Sequence, residues 1–308
     1  MITYSIGLKN KFRGITVREG MLFEGPAGWA EWSPFLDYDD ATSVPWLRAA
    51  QEAAYDGWPA PLRDVVPVNC TVPAVSPEKA AAIVRSSGCR TAKVKVAEPG
   101  QTLKDDLARV EAVRDAIGHG QVRIDANGLW SVDQALRALT ELSRFDLEYV
   151  EQPCAAVEDL AAVRRRTDVL VAADESIRRA EDPLLVKKLD AADIAVLKVQ
   201  PIGGVRACLE IAEQIGLPVV VSSALETSVG IAAGVALAAA LPELPYACGL
   251  ATVSMFTSEV VSEPLLPVDG FLPVKLVQPD QLEANRADPE RTAVWEERLT
   301  RVQQRSTR

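Results

Sequence analysis

The sequence has no long apolar run, no long basic run and only one histidine, and each shortage excludes a class of protein. Without about 18 consecutive apolar residues, a membrane-spanning helix is not expected. The N-terminal segment is polar by residue 9 and lacks the apolar core of a secretory signal. The net charge is −10, from 33 basic and 43 acidic residues, and an acidic chain of this kind is a poor nucleic-acid binder. Neither a membrane nor a nucleic acid is therefore the expected partner.

Cysteine and histidine usage limits the chemistry further. The five cysteines form no C-x-x-C pair and their number is odd, which favours reduced thiols in a cytoplasmic protein. His119 lies between two glycines in a turn-like segment, so it is not expected to bind a ligand. Any proton transfer is therefore expected to use Lys, Asp or Glu side chains.

The order of predicted elements indicates two kinds of structure. Residues 1–35 predict a meander of β-strands, residues 39–57 a helix, and residues 59–67 a proline-rich linker. After residue 67, short apolar segments alternate with amphipathic helices. This alternation stops after residue 251, where an extended segment (252–276) and a polar helix (279–305) are expected.

The alternating part predicts an α/β fold built on a parallel barrel. Its apolar segments lie at 68–72, 91–96, 121–126, 147–152, 168–174, 193–199, 218–223 and 246–251, with helices that begin near 77, 102, 131, 157, 181, 204 and 227. Seven helices between eight strands are typical of a closed barrel, although a doubly wound open sheet also fits the pattern. The segment 227–240 is apolar almost all round, which predicts a helix buried on more than one side.

Ionisable residues recur at the carboxyl ends of the predicted strands, where βα barrels have their active sites. They are Lys93 and Lys95, Asp125, Glu151, Asp174 with Glu175, and Lys198. Packed carboxylates repel one another unless a cation lies among them. Oxygen ligands without His or Cys favour Mg²⁺, with Mn²⁺ as a substitute. Spacing alone leaves Asp174 and Glu175 as alternatives for the third ligand.

The motifs around these residues resemble those of the enolase superfamily and, within it, the o-succinylbenzoate synthases of menaquinone biosynthesis. They are KVKV around Lys95, DANGLW from Asp125, VEQP with Glu151, ADES with Asp174, LKVQPIGG with Lys198 and SSALETSVG from Ser222. The resemblance covers the whole chain, and the N-terminal FRG…REG…GWAEWSPF looks like actinobacterial members. It implies a modified (β/α)₇β barrel at residues 67–251 and an α+β capping domain made of residues 1–66 plus about 252–308.

The resemblance also implies a reaction and its site. The implied metal ligands are Asp125, Glu151 and Asp174, and the implied catalytic residues are Lys95 and Lys198. The implied reaction is the Mg²⁺-dependent syn dehydration of 2-succinyl-6-hydroxy-2,4-cyclohexadiene-1-carboxylate to 2-succinylbenzoate through an enediolate. In it, Lys95 serves first as base and then as acid, while Lys198 provides a positive charge on the other face of the ring.

Further residues are candidates for binding or supporting the substrate. Lys93 would support the site electrostatically, and Asn127 and Arg123 would orient Asp125 or the lysines. Ser222 and Ser223 would bind a carboxylate with nearby backbone N–H groups, and Gly249 would let the substrate approach the backbone. The resemblance implies that Arg13 lies in a cap loop that closes over the substrate. Ordinary helix capping by the serines and a simple turn at Gly249 remain alternatives.

Several other functions remain open on sequence alone. N-succinylamino acid racemase is the nearest alternative, whereas a dipeptide epimerase would be expected to carry D-x-D in the eighth strand, which here reads ACGLAT. A lactonising enzyme is less consistent with the SSALETS motif. A Schiff-base lyase and a non-catalytic binding barrel are less consistent with the complete set of acids and lysines. The oligomeric state is not indicated by the sequence.

Overall fold

The computed structural model describes residues 1–178 and 182–306. Within these ranges, no helix has both the length and the apolar character needed to cross a bilayer. The start predicted near residue 181 for one helix lies outside the described residues.

The N-terminal part is an antiparallel sheet packed against a helix. Strands β1 (Ile2–Phe12), β2 (Ile15–Gly25) and β3 (Gly28–Trp32) pair in that order. Helix α1 (Asp40–Gln51) begins after Asp39, whose side chain accepts a hydrogen bond from a backbone N–H of the first turn, and it continues into a π-helical turn at Glu52–Asp56. The core beneath contains Trp32 and Trp46 together with Trp295 from the C-terminal helix.

The second part is a curled parallel sheet. After β4 (Val65–Pro67), seven parallel strands follow in order: β5 (Cys70–Val72), β6 (Thr91–Lys95), β7 (Gln121–Asp125), β8 (Leu147–Glu151), β9 (Val171–Ala173), β10 (Ile194–Leu197) and β11 (Val219–Val221). The short strand β4 pairs instead with β12 (Phe271–Pro273). The α/β barrel architecture with an α+β cap is confirmed, whereas the exact domain boundaries stay a prediction.

The predicted eighth strand, 246–251, is reduced to two isolated bridges that close the ring. Cys248 bridges Val68 before β5, and Gly249 bridges Ser222 after β11. A side chain at Gly249 would place Cβ 2.6 Å from Ser222 Oγ, so this close approach depends on glycine. Closure of the barrel therefore rests on a short contact rather than on a regular strand.

Helices surround the strands. They are α2 (Pro77–Ser87), α3 (Leu103–Ile117), α4 (Val132–Leu142), α5 (Val157–Arg164), α6 (Glu175–Arg178), α7 (Leu185–Lys188), α8 (Val199–Ile202), α9 (Val205–Ile215) and α10 (Ser228–Ala240). The last helix, α11 (Pro289–Ser306), packs instead against α1 and β1 of the N-terminal part. Helix α10 is buried along almost its whole length, as its composition predicted. The short helices α6 and α8 were not predicted; they begin directly after Asp174 and Lys198. Helix α11 begins ten residues later than predicted, at Pro289.

Strand alternation decides which side chains reach the barrel interior. Val94, Ile124 and Val150 point outward and pack in the layer between strands and helices. The inward positions one residue away carry the charged side chains near the carboxyl ends of the strands. Lower in the barrel, the interior is closed by a small cluster of Tyr149, Ala172, Ile194, Val196 and Val220. The charged groups therefore lie above an apolar floor.

Candidate active site

Lys95 ends β6 and forms an ion pair with the acid at the end of the neighbouring strand. Its Nζ lies 2.5 Å from Asp125 Oδ2 and donates to Asn127 Oδ1 at 2.8 Å. The parallel register places Lys95 beside Asp125. Asn127 also donates its backbone N–H to Asp125 Oδ1 at 3.0 Å. Asn127 thus contacts both the lysine and the acid, as a supporting residue would.

Lys93 lies deeper on the same face of β6 and bridges two carboxylates. Its Nζ is 2.9 Å from both carboxylate oxygens of Glu151 and 3.4 Å from Asp125 Oδ2. Burial opposes the charged form of Lys93, but Glu151 and Asp125 raise its pKa above the ordinary value. Lys93 is therefore a fixed positive charge rather than a base.

Lys198 follows β10 and faces Lys95 across the barrel. In a ring of eight, β6 and β10 occupy the second and sixth places, because β5 is the first strand and the 248–249 segment is the eighth. The Nζ of Lys198 donates to Asp174 Oδ2 at 2.7 Å. The two lysines are therefore on opposite sides of the three acids.

Arg178, on the short helix α6, holds the other side of Asp174. Its Nε donates to Asp174 Oδ1 at 2.8 Å and its Nη2 to Glu175 Oε1 at 2.5 Å. Its Nη1 donates to the hydroxyl of Tyr38 from the N-terminal part at 3.2 Å. Asp174 thus lies between Arg178 and Lys198, whereas Glu175 accepts from Arg178 and, at 3.4 Å, from the side-chain amide of Asn127.

The three acids are buried, and their pKa values differ because their partners differ. Burial raises the pKa of Asp125, but Lys95 and Lys93 outweigh it and lower that pKa below the usual range. The pKa of Asp174 is also lowered, because Arg178 and Lys198 outweigh the effect of burial. Burial and then the nearby charge of Asp125 raise the pKa of Glu151 to about 7, although Lys93 opposes this. Glu151 is therefore the acid of the three whose charge the neighbouring cations stabilise least.

The carboxylates of Asp125, Glu151 and Asp174 form an all-oxygen donor set. In the ranges 1–178 and 182–306, no group of three or more Asp, Glu, His or Cys side chains already converges in the manner of metal ligands. The lysines hold the carboxylates instead, and the Lys93 ammonium lies in contact with two of them, which shows that a cation is accommodated there. Hard divalent cations such as Mg²⁺ prefer oxygen donors. The donor set therefore fits a divalent metal that takes over carboxylate oxygens from the lysines.

The loop that connects β11 to α10 borders the lysine side of the site. Ser222 N donates to Leu197 O at 2.9 Å, which places Ser222 beside Lys198 in the parallel register. Ser223 shares a hydrogen bond of 2.8 Å with Thr252 through their hydroxyl groups. Gly249 lies next to Ser222 at the closing contact of the barrel. The three residues predicted from this region are thus together at the barrel mouth.

A loop of the N-terminal sheet lies over the opposite side of the site. The ring of Phe12, at the end of β1, has its centroid 5.5 Å from Lys95 Nζ. The next residue, Arg13, pairs with Asp37 at 3.0 Å and its guanidinium carbon lies 4.0 Å from the ring centroid of Phe35. Arg13 is therefore held within the cap loops rather than directed at the acids.

The sequence interpretation missed three residues that hold the site. Arg178 has the i,i+4 spacing from Asp174 that joins charges on one helix face, and this spacing could have revealed it. Gln152, directly after the second acid, accepts the backbone N–H of Asp174 at 2.9 Å through Oε1. Arg109, on α3, donates to Lys95 O at 2.8 Å. This last contact joins elements distant in sequence, so no local pattern indicates it.

The expectation for Arg123 was wrong. Its guanidinium donates to Glu148, to Asn69 Oδ1 at 3.2 Å and to Ala247 O at 2.6 Å. It also stacks over Tyr149, with 4.7 Å between the guanidinium carbon and the ring centroid. The reason is register, because Arg123 lies two residues before the strand end and faces the barrel floor. It ties the first, third, fourth and eighth strand positions together below the site.

The fold and this arrangement of acids and lysines agree with the comparison to known families. The N-terminal model described as "Enolase N-terminal domain-like" matches residues 3–54, and the model described as "Enolase C-terminal domain-like" matches residues 76–279. A dipeptide epimerase from Enterococcus faecalis V583, solved in complex with Mg and the dipeptide L-Leu-L-Tyr, superposes with a TM-score of 0.75 at 23% identity, covering 91% of this chain and 96% of that chain. These matches define a member of the enolase superfamily.

Relatives with much higher sequence identity show to which family of the enolase superfamily the chain belongs. The o-succinylbenzoate synthase of Thermobifida fusca is 64% identical over 96% of this chain and 93% of its own length. The enzyme of the same name from Mycolicibacterium smegmatis is 55% identical over 96% of this chain and 92% of its length. Within the enolase superfamily, the chain belongs to the family of these synthases.

Proposed function

We propose that the chain is an o-succinylbenzoate synthase, which dehydrates 2-succinyl-6-hydroxy-2,4-cyclohexadiene-1-carboxylate to 2-succinylbenzoate. Identity of 64% to a relative of that name supports the reaction. The observation that carries the mechanism is the position of Lys95 and Lys198 on opposite sides of three buried acids. A ring held above the acids presents one face to each lysine.

Asp125, Glu151 and Asp174 are the proposed ligands of Mg²⁺, for which Mn²⁺ would substitute. When bound, the metal supplies positive charge that stabilises the negative charge developing on the substrate carboxylate. We favour Asp174 over Glu175 because Asp174 is fully buried beside Lys198, whereas Glu175 is less buried and contacts Arg178 and Asn127 rather than a lysine.

Lys95 is the proposed base and acid. In its neutral form it takes the α-proton of the ring carbon that bears the carboxylate. The electrons of that C–H bond are first held in the enediolate of the substrate and then form a new ring double bond as the C–O bond to the hydroxyl breaks. Lys95 then returns the proton to the departing hydroxyl, so that water leaves and the lysine is neutral again. One lysine on one face is sufficient for this syn elimination.

The remaining residues have supporting roles in this proposal. Lys198 stays protonated on the other face of the ring as a cation close to the developing charge. Lys93 keeps a fixed charge beside Glu151. Ser222 and Ser223 bind a carboxylate of the substrate through their hydroxyl groups, because the N–H groups of Ser222, Ser223 and Ala224 donate within the protein. Gly249 leaves room for the Ser222 hydroxyl. Arg13 belongs to the loop that covers the substrate.

The domain assignment and the location follow from the same proposal. Residues 1–66 with about 252–308 form the proposed cap, and residues 67–251 form the proposed barrel. The five cysteines are free and buried, which supports a reducing, cytoplasmic location. The substrate is a small carboxylate.

The test is an ultraviolet assay for formation of the aromatic product from the diene. Wild type should be active with Mg²⁺ and inactive in excess chelator. Lys198→Arg should keep measurable dehydration because arginine retains the charge, whereas Lys95→Arg should be inactive because arginine does not release its proton. Near wild-type turnover by Lys95→Arg would overturn the assignment of the base.

The same variants separate dehydration from racemisation. Racemisation moves a proton from one face of the substrate to the other, so both lysines must exchange protons. With an N-succinylamino acid in deuterated water, both variants should therefore lose any racemisation. If wild type racemises this substrate much faster than it dehydrates the diene, the racemase alternative replaces the proposed function.

A further inference from the structure

Two residues of the N-terminal sheet, Arg18 and Glu31, contact the loop that we propose to bind the substrate carboxylate. This loop, residues 222–227, connects β11 to α10 and is called the β11–α10 loop below. It begins beside Lys198, as described above. Its other end leads into α10, where Thr227 precedes the first helical residue. The conformation of the loop therefore decides where its serine hydroxyls point.

Arg18 bonds the middle of the β11–α10 loop. This residue of β2 is 2% exposed and donates Nε–H to Leu225 O at 2.8 Å. The same guanidinium donates to Ser33 Oγ and to Glu19 O, each at 3.0 Å, and lies 4.4 Å from the centroid of the Phe35 ring. Within the part of the chain that the structure describes, no carboxylate forms an ion pair with Arg18. Its hydrogen-bonding capacity is used on backbone and hydroxyl oxygens.

Leu225 shows why this contact matters. Its φ of 66° lies in the left-handed region, which a branched, bulky residue seldom adopts. Such a conformation persists only where surrounding contacts hold it. The hydrogen bond from Arg18 is one of these contacts, and it comes from a different part of the fold.

Glu31 fixes the end of the same loop. Its Oε2 accepts hydrogen bonds from Thr227 Oγ1 at 2.5 Å, Thr227 N at 3.0 Å and Gly230 N at 3.1 Å. Its Oε1 accepts from the hydroxyls of Tyr4 and Ser33, each at 2.7 Å. Glu31 thus serves as the N-terminal cap of α10 from another part of the chain. A Cβ at Gly230 would lie 2.8 Å from Glu31 Oε2, so the approach needs glycine there.

We propose that Arg18 and Glu31 are positioning residues for substrate binding, which act through the β11–α10 loop. The inference rests on the proposed function for its effect on catalysis. Arg18 holds the strained centre of the loop and Glu31 holds its end, so the cap sheet sets the geometry of a barrel loop. Loss of either contact lets the loop relax and weakens substrate binding without altering the metal ligands.

The competing explanation is that these contacts only dock the cap on the barrel. Glu52 provides a matched control, because it caps the neighbouring helix α9 from the same part of the chain. Its carboxylate accepts from Val205 N, from Arg206 N at 3.1 Å and from Arg206 Nη1 at 2.8 Å. Glu52 is buried to a similar degree as Glu31, but its bonds go to α9 rather than to residues 222–227. A docking role predicts equal effects for Glu31 and Glu52.

The experiment compares Arg18→Lys, Glu31→Gln and Glu52→Gln in the full chain with saturating Mg²⁺. Lysine keeps the charge of Arg18 but not the planar set of donors. We expect about a tenfold rise in KM for the diene in Arg18→Lys and Glu31→Gln, with kcat within about threefold of wild type, because one or two hydrogen bonds are lost. Glu52→Gln should lower the unfolding midpoint but leave KM within about twofold. Mg²⁺ affinity by calorimetry should be unchanged in all three.

Hydrogen exchange gives a second reading that does not depend on the reaction. Amides of residues 224–228 should exchange faster in Arg18→Lys and Glu31→Gln, whereas Glu52→Gln should affect those at the start of α9. An equal KM change in Glu31→Gln and Glu52→Gln, or unchanged exchange at 224–228, would overturn the inference. A milder variant, Thr227→Val, removes only the hydroxyl bond to Glu31 and serves if Glu31→Gln does not fold. An inactive wild type with the expected exchange pattern would contradict the proposed function alone.

Discussion

Two groups of buried carboxylates in this molecule are satisfied in different ways. In the barrel mouth, Asp125, Glu151 and Asp174 accept from the side chains of lysine and arginine. At the contact between the N-terminal sheet and α10, Glu31 and Glu226 instead accept mainly from backbone N–H groups and hydroxyls. Both groups are almost fully buried, so the difference lies in the partners rather than in the degree of burial.

The kind of partner indicates what each carboxylate can do. A lysine side chain has a flexible stem and moves without disturbing the backbone. The carboxylate that it contacts can therefore exchange one cation for another. A backbone N–H at a helix terminus cannot withdraw unless the helix moves. The first group therefore suits metal and proton chemistry, whereas the second suits the placement of one structural layer on another. The following predictions test this distinction.

The largest effect is expected for Glu151→Gln in the barrel mouth. The amide keeps the shape and can still accept from Lys93, but it removes one charged oxygen donor from the proposed metal set. Mg²⁺-dependent aromatisation should fall at least about 10³-fold, and Mg²⁺ affinity by calorimetry should fall with it.

A retained fold is the control for this variant. Circular dichroism and the unfolding midpoint of Glu151→Gln should stay close to wild type, because Lys93 still contacts Asp125 at 3.4 Å. Wild-type Mg²⁺ affinity in Glu151→Gln would show that this acid is not a ligand.

A large effect on stability, rather than on chemistry, is expected for Arg298→Met. This buried residue of α11 donates to Pro34 O at 3.0 Å and to Phe35 O, Tyr38 O and Ser43 Oγ at 2.9 Å. Methionine would leave these oxygens without their donor, which costs about 2–4 kcal/mol of unfolding free energy. Urea unfolding measures this change. Arg301→Met, which removes a more exposed partner of Asp40, should cost under about 1 kcal/mol.

The sequence predicted the first group of carboxylates far better than the second. Asp125, Glu151 and Lys198 each follow a short β-branched segment, and parallel strands end at the same edge, so local patterns were sufficient to bring them together. Glu31 and Thr227 are 196 residues apart, and no sequence pattern in either segment predicts their contact.

Fold prediction failed where structure depends on contacts rather than on composition. The predicted eighth strand became two bridges because Cys248 and Gly249 only fill the gap between the first and seventh strands. Arg123 was misplaced for a related reason, since strand alternation predicts its face but not its depth in the barrel. The short helices after Asp174 and Lys198 are too brief to show a hydrophobic period.

Glu226 should make stability depend on pH in the same pH range as Glu151 of the barrel mouth, because burial raises the pKa of both carboxyl groups. Burial and then the charge of Glu31 raise the pKa of Glu226 to about 7 from the ordinary value of 4.5, although Arg18 opposes this. Between about pH 4.5 and pH 7, the folded chain therefore keeps a proton on Glu226 that the unfolded chain has released. The stabilisation is complete below about pH 4.5 and is lost as pH rises through 7, by up to about 3 kcal/mol.

Glu226→Gln tests this by removing the titrating group. Urea unfolding at pH 5 and pH 8 should show a smaller loss of stability on raising the pH than in wild type, because the amide stays neutral. An equal loss in both proteins would assign the pH dependence to other groups. Glu226→Asp, which keeps the acid, is the matched control and should preserve the pH dependence.

The smallest effect, and the finest comparison, comes from adding one methyl group to each region. At Gly249 a Cβ would lie 2.6 Å from Ser222 Oγ, a side-chain atom that can rotate away. At Gly230 a Cβ would lie 2.5 Å from Glu226 Cβ, on a buried side chain already fixed at the cap contact. Gly249→Ala should therefore cost under about 1.5 kcal/mol in unfolding free energy, and Gly230→Ala about 1–3 kcal/mol.

Because the displaced Ser222 hydroxyl is proposed to face substrate, Gly249→Ala should raise KM a few-fold at unchanged Mg²⁺ affinity. If Gly249→Ala leaves KM unchanged while its stability falls, Gly249 serves only to close the barrel, and the proposed role of Ser222 in substrate binding would be wrong.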